Sequence, residues 1–271
     1  MAHRIAIASQ KGGVGKTTIC LNLAVALAES GRRTLALDLD PQGGIALSLA
    51  RGDTEWAGLA EHLVGEVSIE QAIFTTKLPG LSLLSRGRLD PVEAPEFEDA
   101  LRAPGTLERV LEAVDERFEY VLIDTPGGLG SIARAALAAA GFALVPVPAE
   151  PLGLRSVWQV MRVLEHVQSS ENPKLKLLGI LPTMVELNRE VSLEAMEQLW
   201  TGFSAVLDTG IPRAGIFARA SQEGLPLSFL GGRAPPEARR FALLASEVVS
   251  RVQQLSQVAG VDDEQPRREL V

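Results

Sequence analysis

Gln10-Lys11-Gly12-Gly13-Val14-Gly15-Lys16-Thr17-Thr18 is the stretch from which the fold is read. The alternating run Arg4 to Ser9 precedes it, and the apolar series Ile19, Leu23, Ala26 and Leu27 follows. The order is therefore strand, glycine-rich loop, helix. Closely spaced glycines let successive backbone N–H groups converge on phosphate oxygens, and the first turn of a helix adds unpaired donors and a field that favours anions. Gly12, Gly13, Val14, Gly15, Lys16, Thr17 and Thr18 are accordingly candidate nucleotide-binding residues. Lys16 can reach β and γ phosphates, and the Thr17 hydroxyl can enter a Mg²⁺ shell.

Working outward, Gly31 is placed to cap the first helix, and Arg33 to Asp38 reads as a second buried strand. It runs into Asp38-Leu39-Asp40-Pro41-Gln42-Gly43, where strand alternation sets the two carboxylates on one side. A third element, Val121-Leu122-Ile123-Asp124-Thr125-Pro126-Gly127, is an apolar strand ending in an aspartate able to hold a magnesium-bound water. Further strands are expected at Leu81–Leu84, Phe142–Val147 and Leu175–Leu181. Helical periodicity separates most of them, at Leu107–Val114, Ile132–Ala140, Leu154–Val167, Leu193–Leu199 and Ala238–Leu255. This alternation predicts an α/β fold, a doubly wound and mainly parallel sheet flanked by helices, with its chemistry at the carboxyl ends of the strands. Proline-broken, acidic Pro91–Pro104 reads as a surface excursion, and Gly231–Pro236 as an exposed loop. A single domain over residues 1–260 is expected, followed by a polar tail over 261–271.

Composition narrows the classes. The chain has 271 residues, 46% of them hydrophobic, and one cysteine, so a core forms without disulfides or a multi-cysteine metal site. His3, His62 and His166 are scattered, and Cys20 is expected to pack on the first helix. Trp158, Trp200 and Phe203 are read as core or interface residues rather than stacking platforms. The N-terminus lacks a signal-like apolar region, and the most apolar stretch, Ile132–Val147, is broken by Arg134 and Pro146, so a cytosolic protein is expected. The formal net charge is −8, unevenly spread: Asp53–Asp124 holds six Lys/Arg against sixteen Asp/Glu, whereas Arg213–Arg251 holds six Arg against three Glu. Any DNA-facing surface belongs to the last third.

The sequence Lys-Gly-Gly-Val-Gly-Lys-Thr at 11–17 departs from the general phosphate loop, because Gln10 stands at the first glycine position. It resembles the deviant Walker A signature of the ParA/MinD superfamily, and Asp38-Leu39-Asp40-Pro41-Gln42-Gly43 resembles the ParA branch in particular. The similarity continues through Ala136–Ala140, Pro182-Thr183-Met184 and Ile211-Pro212-Arg213. This resemblance implies an ATPase that uses ATP and Mg²⁺ and works as an ATP-dependent homodimer. Lys11 would be the signature lysine that reaches the partner's nucleotide, and Asp40 would position or activate the attacking water. Thr17, Asp38 and Asp124 would serve the magnesium shell, and Thr183, Met184 and Pro212 would line the adenine pocket. Catalysis is thereby assigned to Lys11, Lys16 and Asp40. The departures are Gly127-Gly128, where relatives often carry a second proline, and Ile216, where many carry another arginine.

By the same resemblance the ATP-bound dimer binds double-stranded DNA without sequence preference and releases it when a ParB-like centromere-binding protein or cargo adaptor stimulates hydrolysis, giving a cytoplasmic, nucleoid-associated protein. Arg213, Arg219, Arg239 and Arg240 are the nominated phosphate contacts. The final helix has the apolar face of a packed helix, Phe241, Leu244, Val248, Val252 and Leu255, and no membrane binding is expected. Two alternatives stand beside this one: a MinD-like membrane or protein recruitment switch, and an amide-forming small-molecule ligase on the related fold.

Overall fold

The computed structural model describes residues 1–49 and 56–262. Seven strands form one sheet in the order β3-β4-β2-β5-β1-β6-β7. They are β1 (His3–Ile7), β2 (Thr34–Asp38), β3 (Phe74–Thr75), β4 (Leu81–Leu84), β5 (Tyr120–Asp124), β6 (Phe142–Pro148) and β7 (Lys176–Thr183). All pairs are parallel except the short β3, which runs antiparallel to β4. Parallel strands need crossover connections, and the helices that supply them cover both faces. Each central strand therefore buries both of its sides: Ile5 and Ile7 of β1 join one core cluster, while Ala6 joins the other.

α1 (Lys16–Glu29) connects β1 to β2 and is buried along most of its length, because the sheet lies on one side and α11 (Pro236–Asp262) on the other. Gly31, at φ 85°, ends it, and the Arg32 N–H bonds back to the Leu27 carbonyl. Phe241, Leu244, Val248 and Val252 of α11 are buried, as the periodicity predicts. α7 (Ser131–Ala139), α8 (Pro151–Ser170) and α9 (Glu190–Gly202) follow the sequence reading closely, with α6 (Thr106–Glu112) beside them. The short helices α2 (Gly44–Leu49), α3 (Leu59–Leu63) and α4 (Ile69–Ala72) and the two-residue β3 were not expected, nor was α10 (Ile216–Glu223).

Two expectations are corrected. Most of Pro91–Pro104 is helical, α5 (Ala94–Arg102), with Phe97 and Leu101 buried in the core. Its Pro95 sits in the first turn, where no N–H is needed, so the proline starts a helix rather than breaking one. Of the expected core or interface placement, the core part does not hold for Trp158 and Trp200, since both are more than half exposed on α8 and α9, Trp158 against Phe203 with ring centroids 4.9 Å apart. Of the expected polar tail, 261 and 262 continue α11 and the remainder lies outside the described residues.

The outer edge of β7 is not open. Residues 205–213 run along it irregularly: the Ile180 N–H donates to the Ala205 carbonyl (2.8 Å), the Leu207 N–H to the Ile180 carbonyl (2.9 Å), and the Ile211 N–H to the Pro182 carbonyl (2.9 Å).

Candidate nucleotide site

Three strand ends meet at one level. Register pairs Ile7 with Asp124 and Asp124 with Asp38, so the exit of β1 and two carboxylates stand side by side at the carboxyl edge of the sheet. From Ile7 the chain turns through Gly13 (φ 73°) and Gly15 (φ 93°), both in the left-handed region open to glycine. Gly15 is the cap of α1 and has no side chain to give, so the N–H groups of the first helical turn face the loop without a capping acceptor.

Lys16 is buried, with 7% exposure, and burial lowers its pKa while Asp124 and Asp40 pull it back up. Among the described residues no carboxylate lies within ion-pairing distance of it. The Thr17 hydroxyl donates to Asp124 Oδ2 (2.6 Å), while Asp124 Oδ1 is buried without a partner. Asp38 is differently engaged: its Oδ1 accepts the Asp40 N–H (3.0 Å) and its Oδ2 the Ile45 N–H (2.9 Å), so it anchors the loop after β2. Burial raises the pKa of both aspartates, and for Asp124 the neighbouring Asp38 adds to the shift.

A divalent cation fits this arrangement. An orphaned carboxylate oxygen, a threonine hydroxyl and a second carboxylate form a hard-oxygen donor set, and Mg²⁺ commonly takes only one or two carboxylates, completing its shell with water and phosphate. The loop 40–44 passes directly over this point: a Cβ at Gly44 would sit 2.9 Å from Thr17 Oγ1. Asp40 is half-buried, its Oδ1 accepting the Gln42 N–H (2.9 Å). Gly127 lies against the phosphate loop from the other side, where a Cβ would come within 3.5 Å of the Gly12 Cα.

Beside the phosphate loop opens a cavity of about 330 Å³, walled by Gly13, Val14 and Thr18 and by Thr183, Met184 and Pro212. Ile211 and Phe217, not anticipated from sequence, complete its apolar wall. Thr183 Oγ1 is buried without a partner, and Met184 holds φ 52°. Chain regions far apart in sequence thus assemble a polar phosphate cradle next to an apolar slot, which is the shape of a nucleotide.

A family model described as an AAA domain matches residues 2–177. The chromosome partitioning protein ParA of Caulobacter vibrioides is 35% identical over 91% of this chain and 94% of its own length. This chain belongs to the ParA/MinD family of deviant Walker P-loop ATPases. Among solved structures, cobyrinic acid a,c-diamide synthase from Mycobacterium smegmatis with bound ATP analog and magnesium superposes with a TM-score of 0.77 at 33% identity, covering 93% of this chain and 96% of that one. The septum site-determining protein MinD of Pyrococcus horikoshii, complexed with Mg-ADP, gives 0.76 at 27% identity, covering 94% and 99%. The loop at 11–17 is thus a phosphate-binding loop of the deviant Walker type, set beside the hard-oxygen donors of Thr17 and Asp124.

Other nominated residues of this ParA/MinD chain lie outside the cradle. Lys11 is half-exposed and its Nζ pairs with Glu150 Oε1 (2.6 Å) at the cap of α8. Arg213 pairs with Glu186 (3.3 Å) at the rim of the apolar cavity, and Arg219 with Glu223 (2.7 Å) on α10. Arg239 and Arg240 are exposed in the first turns of α11. Sequence reasoning missed Glu150 and Arg86, since neither belongs to a motif. Both are found only because the fold brings their strand ends to the phosphate loop and to the loop after β2.

Proposed function

We propose that this chain, acting as one domain over residues 1–260, is a Mg²⁺-dependent ATPase and ATP-switched homodimer. In its ATP state it binds double-stranded DNA without sequence preference. It thereby positions or segregates a plasmid, a chromosomal region or another cargo in the cytoplasm, on the nucleoid, under a ParB-like centromere-binding or adaptor protein. The observation that carries this reading is the convergence of Lys16, the Thr17–Asp124 pair with its orphaned oxygen, and the Asp40 loop beside the cavity lined by Thr183, Met184 and Pro212. Lys16 holds the β and γ phosphates, and Thr17, Asp38 and Asp124 serve the metal shell. Bound Mg²⁺ would neutralise charge on the phosphate oxygens. Asp40 orients the attacking water, and Lys11 leaves Glu150 to reach the nucleotide of a second copy. The family and the relatives' partitioning role support the DNA-linked part, with Arg213, Arg219, Arg239 and Arg240 as candidate phosphate contacts.

DNA retention at low salt with ATP, ADP or no nucleotide tests the switch. ATP-enhanced retention is expected, and equal retention in all three states would defeat it. Lys16→Ala should lose ATP binding, Lys11→Ala should bind ATP but fail to dimerise, and Asp40→Ala should bind ATP and accumulate as a DNA-retaining dimer.

The likeness to the diamide synthase favours one second reading, an ATP-dependent amide-forming enzyme. Cys20 is buried with its Sγ against the Leu122 carbonyl, so this chain offers no accessible thiol for releasing ammonia from glutamine. ATP cleavage that requires a carboxylate acceptor and free ammonia, and yields an amide, would establish that reading over the first.

A further inference from the structure

We propose that Arg86 is a positioning residue of the hydrolytic site, a strap that fixes the turn presenting Asp40. The proposal rests on the assignment of Asp40 to water activation. Register pairs Leu37 of β2 with Leu84 of β4, so the chain beyond one strand end runs beside the chain beyond the other. Arg86 lies two residues past β4, and its guanidinium donates through Nη1 to the Pro41 carbonyl. The turn it meets is already closed by local bonds: the Gly43 N–H donates to the Asp40 carbonyl (2.8 Å) and the Gln42 N–H to Asp40 Oδ1 (2.9 Å). Pro41 is buried and contributes a carbonyl but no N–H, and a cationic donor from outside the turn meets that acceptor.

Packing reinforces the hydrogen bond. Gly43 is buried at φ 67°, and a Cβ there would sit 2.8 Å from Arg86 Cδ, so the arginine stem occupies the space that a side chain at 43 would take. The platform beneath Arg86 is itself fixed. The Leu59 N–H donates to the Ser85 carbonyl and the Ala60 N–H to the Arg86 carbonyl, both at 2.8 Å, while the Arg88 N–H and Nε reach the buried carboxylate of Glu61 (2.9 and 3.1 Å). Among the described residues no carboxylate lies within ion-pairing distance of Arg86, and its charge is felt at Asp38, where it opposes the rise in pKa that burial causes. An anchored arginine that touches the turn and not the phosphate loop should set where Asp40 points without contributing to ATP affinity.

The test is a split between kcat and KM. Arg86→Met keeps the apolar stem and removes the donor, and Arg86→Lys keeps a cationic donor. With Mg²⁺ and ATP, R86M is expected to lose about tenfold in kcat, with KM and the affinity for a fluorescent ATP analogue within about twofold of wild type, and R86K to recover a substantial part of the loss. R86M turning over within twofold of wild type would overturn the proposal, as would a parallel loss of ATP affinity. If R86M fails to fold, Arg86→Gln, which keeps a polar side chain but shortens it and removes the charge, decides: a kcat reduced without a matching loss of affinity supports the strap, and a parallel loss of both or wild-type kinetics overturns it. Asp40→Ala measured alongside separates the two claims. Wild-type hydrolysis by D40A defeats the assignment of Asp40 itself, whereas an inactive D40A beside a fully active R86M defeats only the role of Arg86.

Discussion

Asp124 has one carboxylate oxygen held by Thr17 and the other unpaired in a buried site, and its neighbour across the ladder is a second buried carboxylate, Asp38. Both pKa values are raised, first by desolvation. The folded, metal-free protein therefore holds protons at pH values where the unfolded chain has released them, and it loses stability as pH rises through the raised pKa values. In the proposed metal shell Mg²⁺ would compete with those protons, so its stabilising effect would be full above the raised values and decline as pH falls through them. The rise in Tm on adding Mg²⁺ to the ATP-bound protein should be larger at pH 8 than at pH 6. In Asp124→Asn that difference should shrink, which controls for titration of the nucleotide; an equal pH dependence in the two proteins would remove Asp124 from the metal shell. Lys16, Thr17, Asp38 and Asp124 stood out in the sequence because each closes a strand or opens a helix, whereas Asp40, two residues past β2, was picked out through the family resemblance. Arg86 and Glu150 were not, because a lone arginine or glutamate acquires meaning only from what the fold sets opposite it.

α1 is held to the rest of the molecule by more than its apolar faces. Asn22, buried within it, donates to the Thr18 carbonyl (2.8 Å) and accepts the Leu227 N–H (2.9 Å), tying the helix behind the phosphate loop to the short 3₁₀ turn Leu227–Phe229. Asn22→Ala leaves a buried N–H unpaired, at a cost of about 2 kcal/mol. A fall in Tm of about 4–8 °C is expected for a chain of this size, and a change of under a degree would show that the N–H finds another partner. Elements with long, regular periodicity were readable: the central strands and α8 matched to within a few residues, while α11 starts two residues before the expected Ala238–Leu255 and runs seven past it. α5 escaped because its proline reads as a breaker until its place in the first turn is known. α2, α3 and α4 span four to six residues each, too few for a helical period to emerge. Thr183, Met184 and Pro212 were found by resemblance alone, since their strand end and loop carry no local signature of a base-binding slot.

Over the whole molecule, sixteen of the 34 acidic residues fall in 53–124 against six basic ones, whereas 213–251 holds six Arg against three Glu, so an overall negative charge does not preclude a phosphate-facing surface. Arg239 and Arg240 are exposed side by side at the start of α11, while Arg213 and Arg219 are engaged with Glu186 and Glu223. The double variant Arg239→Ala/Arg240→Ala should weaken ATP-dependent DNA retention at every sequence alike. If both side chains meet phosphates in each protomer, the slope of log affinity against log salt should flatten by about 0.9 for each phosphate that is no longer neutralised. An unchanged slope would move the DNA surface elsewhere. The rims of the sheet limit how two copies can meet. One ends in the two-residue β3, and the other is occupied by the irregular chain 205–213 bonded along β7. Among the described residues, neither rim presents a regular strand of more than two residues on which another strand could be templated. In the proposed ATP-switched dimer, association would then rest on side chains and loops, an attachment that could be made and undone on each nucleotide cycle without opening a β-ladder.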